Sequence, residues 1–131
     1  ESEAPDIMEY LFSIMLGGAV GAALRYGTVL GVNHLLGRGL PYGTLTVNVL
    51  GSFLIGVLMI WFSQRALLET PLAKGLIIGV LGAFTTFSTF SFDNFVLLEQ
   101  GDWLSLTGNI LLNVALCLLA VYLGVLVARS F

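Results

Sequence analysis

Four long apolar runs alternate with short polar segments along the chain, at about 9–32, 43–62, 74 to about 100, and 104–129. Each reaches or exceeds the roughly 20 apolar residues that a helix needs to cross a hydrocarbon core, so the pattern predicts four transmembrane helices in an all-α membrane protein. Residues 33–42 bring glycine, Pro41, His34 and Arg38 together and read as a short interfacial loop. Residues 63–73, with Gln64, Arg65, Glu69 and Pro71, read as a polar turn. Neither has linker character and no internal repeat is present, so 8–131 forms one domain. Residues 1–7 are polar and acidic, stop just before Met8, and read as a disordered or appended leader outside the fold. They lack the basic region of a secretory signal, which makes the first apolar run a span rather than a cleaved peptide.

The third run departs from this pattern. Between Gly82 and Asp93 it holds four phenylalanines (Phe84, Phe87, Phe90, Phe92), five hydroxyls (Thr85, Thr86, Ser88, Thr89, Ser91) and a carboxylate. Paired threonines are mediocre helix formers whose hydroxyls compete for nearby backbone groups, and Gly82 lowers the cost of leaving the helix. A discontinuity is expected near 82–86. Backbone freed at membrane depth is tolerated only where protein or a watery cavity satisfies it, so the break marks an ion or substrate site.

Polar and small residues elsewhere qualify this picture. Gly17 and Gly21 have the small-xxx-small spacing of closely packed membrane helices, and Gly51, Ser52 and Gly56 favour tight packing of the second span. Asn48 shares a face with Thr44, and Asn109 and Asn113 lie one turn apart on the fourth span. For Asn48 an interhelical hydrogen bond and a functional role stand even, and Arg25 reads equally as an interfacial snorkelling arginine or a functional cation.

Composition narrows the classes: 57% hydrophobic, 10% charged, net charge −3, with half of the eight acidic residues among the first nine positions. Nucleic acid is excluded as a partner on this balance. Cys117 is the single cysteine, so no internal disulfide forms, and His34 has no companion at metal-ligand spacing. Arg65, Lys74 and Arg129 face one side of a four-span topology, while Arg38 and, by its depth, Arg25 face the other. So weak a bias instructs orientation poorly and allows both insertions, hence an antiparallel homodimer.

Taken in order, Gly-Gly-Ala-Val-Gly-Ala-Ala-Leu-Arg25-Tyr, Gly43-Thr-Leu-Thr-Val-Asn48-Val-Leu-Gly51 and Gly82-Ala-Phe-Thr-Thr-Phe-Ser-Thr-Phe-Ser91-Phe-Asp93 resemble the Fluc (CrcB) fluoride channel family from Met8 to the C-terminus. The resemblance implies a dual-topology antiparallel homodimer in the bacterial inner membrane, with two pores that export fluoride passively and relieve its toxicity. It also implies a structural sodium ion at the dimer centre. Position by position, Phe87 and Phe90 match the pore-lining aromatic pair, and Ser88, Thr89 and Ser91 match the polar track beside it. Asn48 matches a vestibule donor, Arg25 the first-helix arginine, and the carbonyls of Gly82 and Thr85 the sodium ligands. Asp93 stands where many members have Glu, and Ala83 replaces the second glycine of a common pair. A small proton-coupled multidrug exporter would want a carboxylate embedded in the first helix, which offers only Glu9 at its start. A non-conducting structural subunit leaves the hydroxylated third helix unexplained, and no nucleophile, base and orienter converge for an enzyme.

Overall fold

A computed structural model of the chain describes residues 4–131, and every regular element in it is helical. Helix α1 (Ile7–Leu36) starts where the Asp6 side chain accepts the Glu9 N–H at 2.9 Å, an N-cap that satisfies one of the free donors of the first turn. Of the leader at 1–7, residues 1–3 lie outside the described residues, while Asp6 and Ile7 begin this helix. Helix α1 continues through Asn33, His34 and Leu36 and stops at Gly37, whose φ of 79° suits glycine. The interfacial loop therefore shrinks from 33–42 to 37–41, because nothing before Gly37 breaks a helix. Asn33 then reaches across it, its side-chain oxygen accepting the Gly43 N–H at 3.0 Å in the first turn of α2 (Tyr42–Gln64).

The third span, Pro71–Glu99, is composite. Thr70 caps the short α3 (Pro71–Lys74), which passes into a π-helix (Gly75–Leu81) and then α4 (Gly82–Phe84). Thr85 and Thr86 are extended, with φ/ψ of −88°/158° and −152°/116°. Helix α5 (Phe87–Glu99) follows, and α6 (Trp103–Arg129) is capped by Asp102, whose side chain accepts from the Ser105 N–H.

Glycine sets the helix contacts. A Cβ on Gly17 would overlap the Gly75 carbonyl, and one on Gly21 the Val80 carbonyl. Gly79 presses in return on the Ile14 carbonyl, so α1 and the π-helix meet backbone to backbone. The same device joins α2 to α6, where a Cβ on Gly56 would lie 2.5 Å from the Val121 carbonyl and one on Gly124 would overlap the Phe53 carbonyl. Such contacts gain dispersion and close packing where lipid removes the hydrophobic drive between helices.

The outside of the bundle is apolar. Of the 30 residues of α1 only Gly17 and Gly21 are buried, and large side chains such as Leu35 and Leu104 are 81% and 86% exposed. Four helices long and apolar enough to cross a bilayer, with this much bare hydrocarbon on their surfaces, make a multi-pass membrane protein.

Candidate functional site: an extended threonine pair clamped by asparagine

Leaving the helix at Thr85 and Thr86 strands backbone groups that the sequence must satisfy by other means. The Thr86 N–H, which a continuous helix would direct to the Gly82 carbonyl, donates instead to Asn48 Oδ1 at 2.8 Å. Asn48 Nδ2 donates back to the Thr86 carbonyl at 3.2 Å, so one side chain of α2 pairs with both polar groups of one peptide residue. A Cβ on Gly51, one turn along α2, would overlap the Thr85 side chain, so this glycine admits the extended pair.

The hydroxyl run restarts the helix. Thr86 Oγ1 accepts the Thr89 N–H at 3.2 Å as the N-cap of α5, donates to Thr89 Oγ1 at 3.0 Å, and lies 3.4 Å from Ser88 Oγ. Because the Thr89 N–H is taken by this cap, the Thr85 carbonyl loses its helical donor, as Gly82 does through Asn48. Among the described residues no group of three His, Cys, Asp or Glu side chains is placed to hold a metal. The freed Gly82 and Thr85 carbonyls are instead the hard oxygen donors that suit an alkali or alkaline-earth cation. The opposite end of the gap carries the positive end of the α5 dipole, which favours negative charge.

Behind Asn48 lies a row of amides. Its Nδ2 also donates to Asn113 Oδ1 at 3.2 Å. Asn113 Nδ2 donates to the Asn109 carbonyl and Oδ1 at 2.9 and 3.0 Å, and Asn109 Nδ2 donates to Asn94 Oδ1 at 2.8 Å. Asn109 and Asn113 are 2% and 5% exposed, and this pairing is what makes their burial tolerable.

A cavity of about 440 Å³ opens against the extended pair. Asn48, Gly82, Thr85, Phe87 and Phe90 all line it, together with Thr86, Ser52, Asn113 and Cys117. The Phe87 and Phe90 rings are 5.5 Å apart at 53°; Phe90 is 8% exposed and Phe87 78%. The other expected pore residues lie elsewhere. Ser88 and Thr89 belong to the cap of α5, Ser91 is exposed one turn further on, and Arg25 is half-buried on α1 away from the cavity lining. Asp93 lies beside Thr44, with one carboxylate oxygen buried and unpartnered. Sequence reasoning missed Thr86 as cap and clamped residue, and Asn94 as the end of the amide row. The alternation of hydroxyls marked the first region, but nothing local marked Asn94.

Comparison with known proteins decides the family. Residues 12–125 match the family described as CrcB-like protein, Camphor Resistance (CrcB). The chain belongs to the CrcB family. It is similar to the fluoride-specific ion channel FluC of Geobacter sulfurreducens, 48% identical over 123 residues that cover 94% of this chain and 99% of that one. It is also similar to the proteins of the same name from Magnetococcus marinus, 47% identical over 88% of this chain and 94% of the relative, and from Shewanella baltica strain OS185, 48% identical over 89% and 94%. The extended threonines, Asn48 and the Phe87–Phe90 pair all fall inside the CrcB match.

Proposed function

We propose that this CrcB-family chain is a fluoride-selective ion channel that lets fluoride leave the cell passively and so relieves its toxicity. The observation that carries the reading is one cavity lined by Phe87, Phe90 and the Asn48 clamp beside the extended threonines. Removing water from a small anion costs on the order of 20 kcal/mol in the idealised limit, which positive ring edges alone do not offset. The remainder comes from hydroxyls, amide N–H groups, residual water and the N-terminal end of α5.

Asn48 takes part directly in this account. Its two donated bonds, both 3.2 Å, sit at the long end of the N–H···O range. A charged acceptor forms shorter and stronger bonds than a carbonyl, so a passing fluoride competes for one of those N–H groups. Ser88, Thr89 and Ser91 supply hydroxyls along the same half-helix, and Arg25 raises the local anion concentration at the vestibule.

The finer architecture follows the same physics. Thr85 and Thr86 form the break of a discontinuous third membrane helix, and a second copy in the opposite orientation covers the faces that leave Phe87 and Gly82 exposed. Two antiparallel subunits then give two pores in a bacterial inner membrane. The Gly82 and Thr85 carbonyls from both copies would hold a sodium ion, whose charge fixes the two breaks together. An exporter of the small multidrug type is disfavoured, since Glu9, the sole acid in α1, lies exposed in its first turn. The test is rescue of a bacterium that lacks fluoride export. Growth in fluoride medium should return with the unmodified chain and not with Phe90→Ile, and failure of the unmodified, membrane-inserted chain would overturn the reading.

A further inference from the structure

We propose that Asn94 and Asn109 are positioning residues for the pore, acting through Asn113 to fix the orientation of the Asn48 amide that clamps Thr86. The argument is one of donor and acceptor arithmetic. The Thr86 backbone N–H is a donor only, so Asn48 must turn its oxygen toward it, and its NH₂ group then gives one hydrogen to the Thr86 carbonyl and has one left to place. That second N–H finds its acceptor on α6, so Asn113 presents Oδ1 and directs its own NH₂ to the carbonyl and Oδ1 of Asn109. Asn109 in turn presents Oδ1, and its NH₂ ends on Asn94 Oδ1, the tightest side-chain link of the row at 2.8 Å.

All four amides therefore point the same way, from the extended threonine on the third span, through α2 and α6, back to α5. Reversing Asn48, Asn113 or Asn109 sets like groups against each other on both sides, and reversing Asn94 sets N–H against N–H toward Asn109. Asn109 is 2% exposed and Asn113 5%, so little water is at hand to repair such a mismatch. The row also closes on the half-helix that follows the break. Asn94 rides on α5, which Thr86 starts, so the half-helix after the break is tied through α6 and α2 to the residue that opens it. None of this requires Asn94 or Asn109 to touch the permeating ion, and neither lines the cavity.

The proposal rests on the channel reading for its flux consequence, but not for its structural one. The test uses the purified chain, uniformly nitrogen-labelled, with the side-chain amide signals of Asn48 and the backbone amide of Thr86 followed by NMR and fluoride efflux measured from liposomes. Asn94→Ala should shift the Asn48 signals, three side chains away, speed exchange of the Thr86 amide proton, and slow fluoride efflux about tenfold, the equivalent of one lost hydrogen bond. Asn109→Leu should do the same, and the double variant should be no worse than Asn109→Leu alone, because both cut one row. Asn94→Asp keeps the acceptor that Asn109 needs and should leave the Asn48 signals in place. Asn48 signals unmoved by Asn94→Ala in a folded, monodisperse protein would overturn the proposal, whatever happens to flux. Moved signals with unchanged flux would refute its functional half. Loss of efflux from the unmodified chain would instead count against the channel reading alone.

Discussion

Asn48→Asp tests the clamp and the pore with a change of one heavy atom. The carboxylate keeps the oxygen that accepts the Thr86 N–H at 2.8 Å, so the extended backbone retains its first partner. The second oxygen replaces Nδ2 and then faces the Thr86 carbonyl and Asn113 Oδ1, each 3.2 Å from the atom it replaces. Two hydrogen bonds of about 1 kcal/mol each are lost, and two acceptors are left facing an anion, which brings the cost to about 3–5 kcal/mol. For the permeating ion, a fixed negative charge about 4 Å away at an effective dielectric constant near 20 adds about 4 kcal/mol of repulsion. That corresponds to roughly a thousandfold slower passage. The assay is fluoride efflux from liposomes read with a fluoride electrode, beside the melting temperature of the same protein. Leu104→Ile, at a position 86% exposed on the bundle surface, serves as the control and should match the unmodified chain. Folded Asn48→Asp protein that retained more than about a tenth of the original efflux would refute both the charge argument and the placement of Asn48 beside the ion path.

Phe90→Ile keeps bulk in a position only 8% exposed but removes the ring edge, and should cut fluoride efflux at least about a hundredfold with a melting temperature close to the original. Gly21→Val forces a side chain into the Val80 carbonyl and should lower the yield of folded protein sharply, whereas Gly18→Ala, at a glycine with open space around it, should be neutral in the same thermal assay. The sodium ion proposed at the Gly82 and Thr85 carbonyls should leave on prolonged dialysis against a large organic cation and weaken the proposed subunit association by size-exclusion chromatography, with recovery on adding sodium back; association unchanged by sodium removal would count against that site. Single cysteines placed at Arg38 in a Cys117→Ser background should label from both sides of one membrane, and one-sided labelling would contradict the antiparallel pair.

The legible and illegible parts of this chain differ in the range of the interactions behind them. The four spans follow from apolar run length, a property of about 20 residues at a time. Gly17 and Gly21 announced a close contact because spacing on one helix face suffices to expose a backbone, although the partner, a π-helix, was not named by the pattern. The run Gly75–Leu81 carries no local sign of a wider turn. Hydrophobicity falls before helical hydrogen bonding stops, so the apolar pattern ends α1 short of Asn33 and His34, whereas only Gly37 ends the helix itself. Paired threonines after Gly82 pointed to the right backbone region, yet which of five hydroxyls caps the restarted helix depends on where that restart falls. Thr86 takes that role, and Ser88 and Thr89 gather around it. The amide row is the least legible feature, because Asn48, Asn94, Asn109 and Asn113 come from three helices and acquire a common direction only when α2, α5 and α6 are packed.

Anion release from liposomes holding the purified chain bears most directly on the central claim. With an outward fluoride gradient and a potassium ionophore to carry the countercharge, the unmodified protein should empty its vesicles of fluoride and leave chloride inside under the same gradient. Equal release of both anions, or release of neither from a folded and inserted protein, would contradict the account.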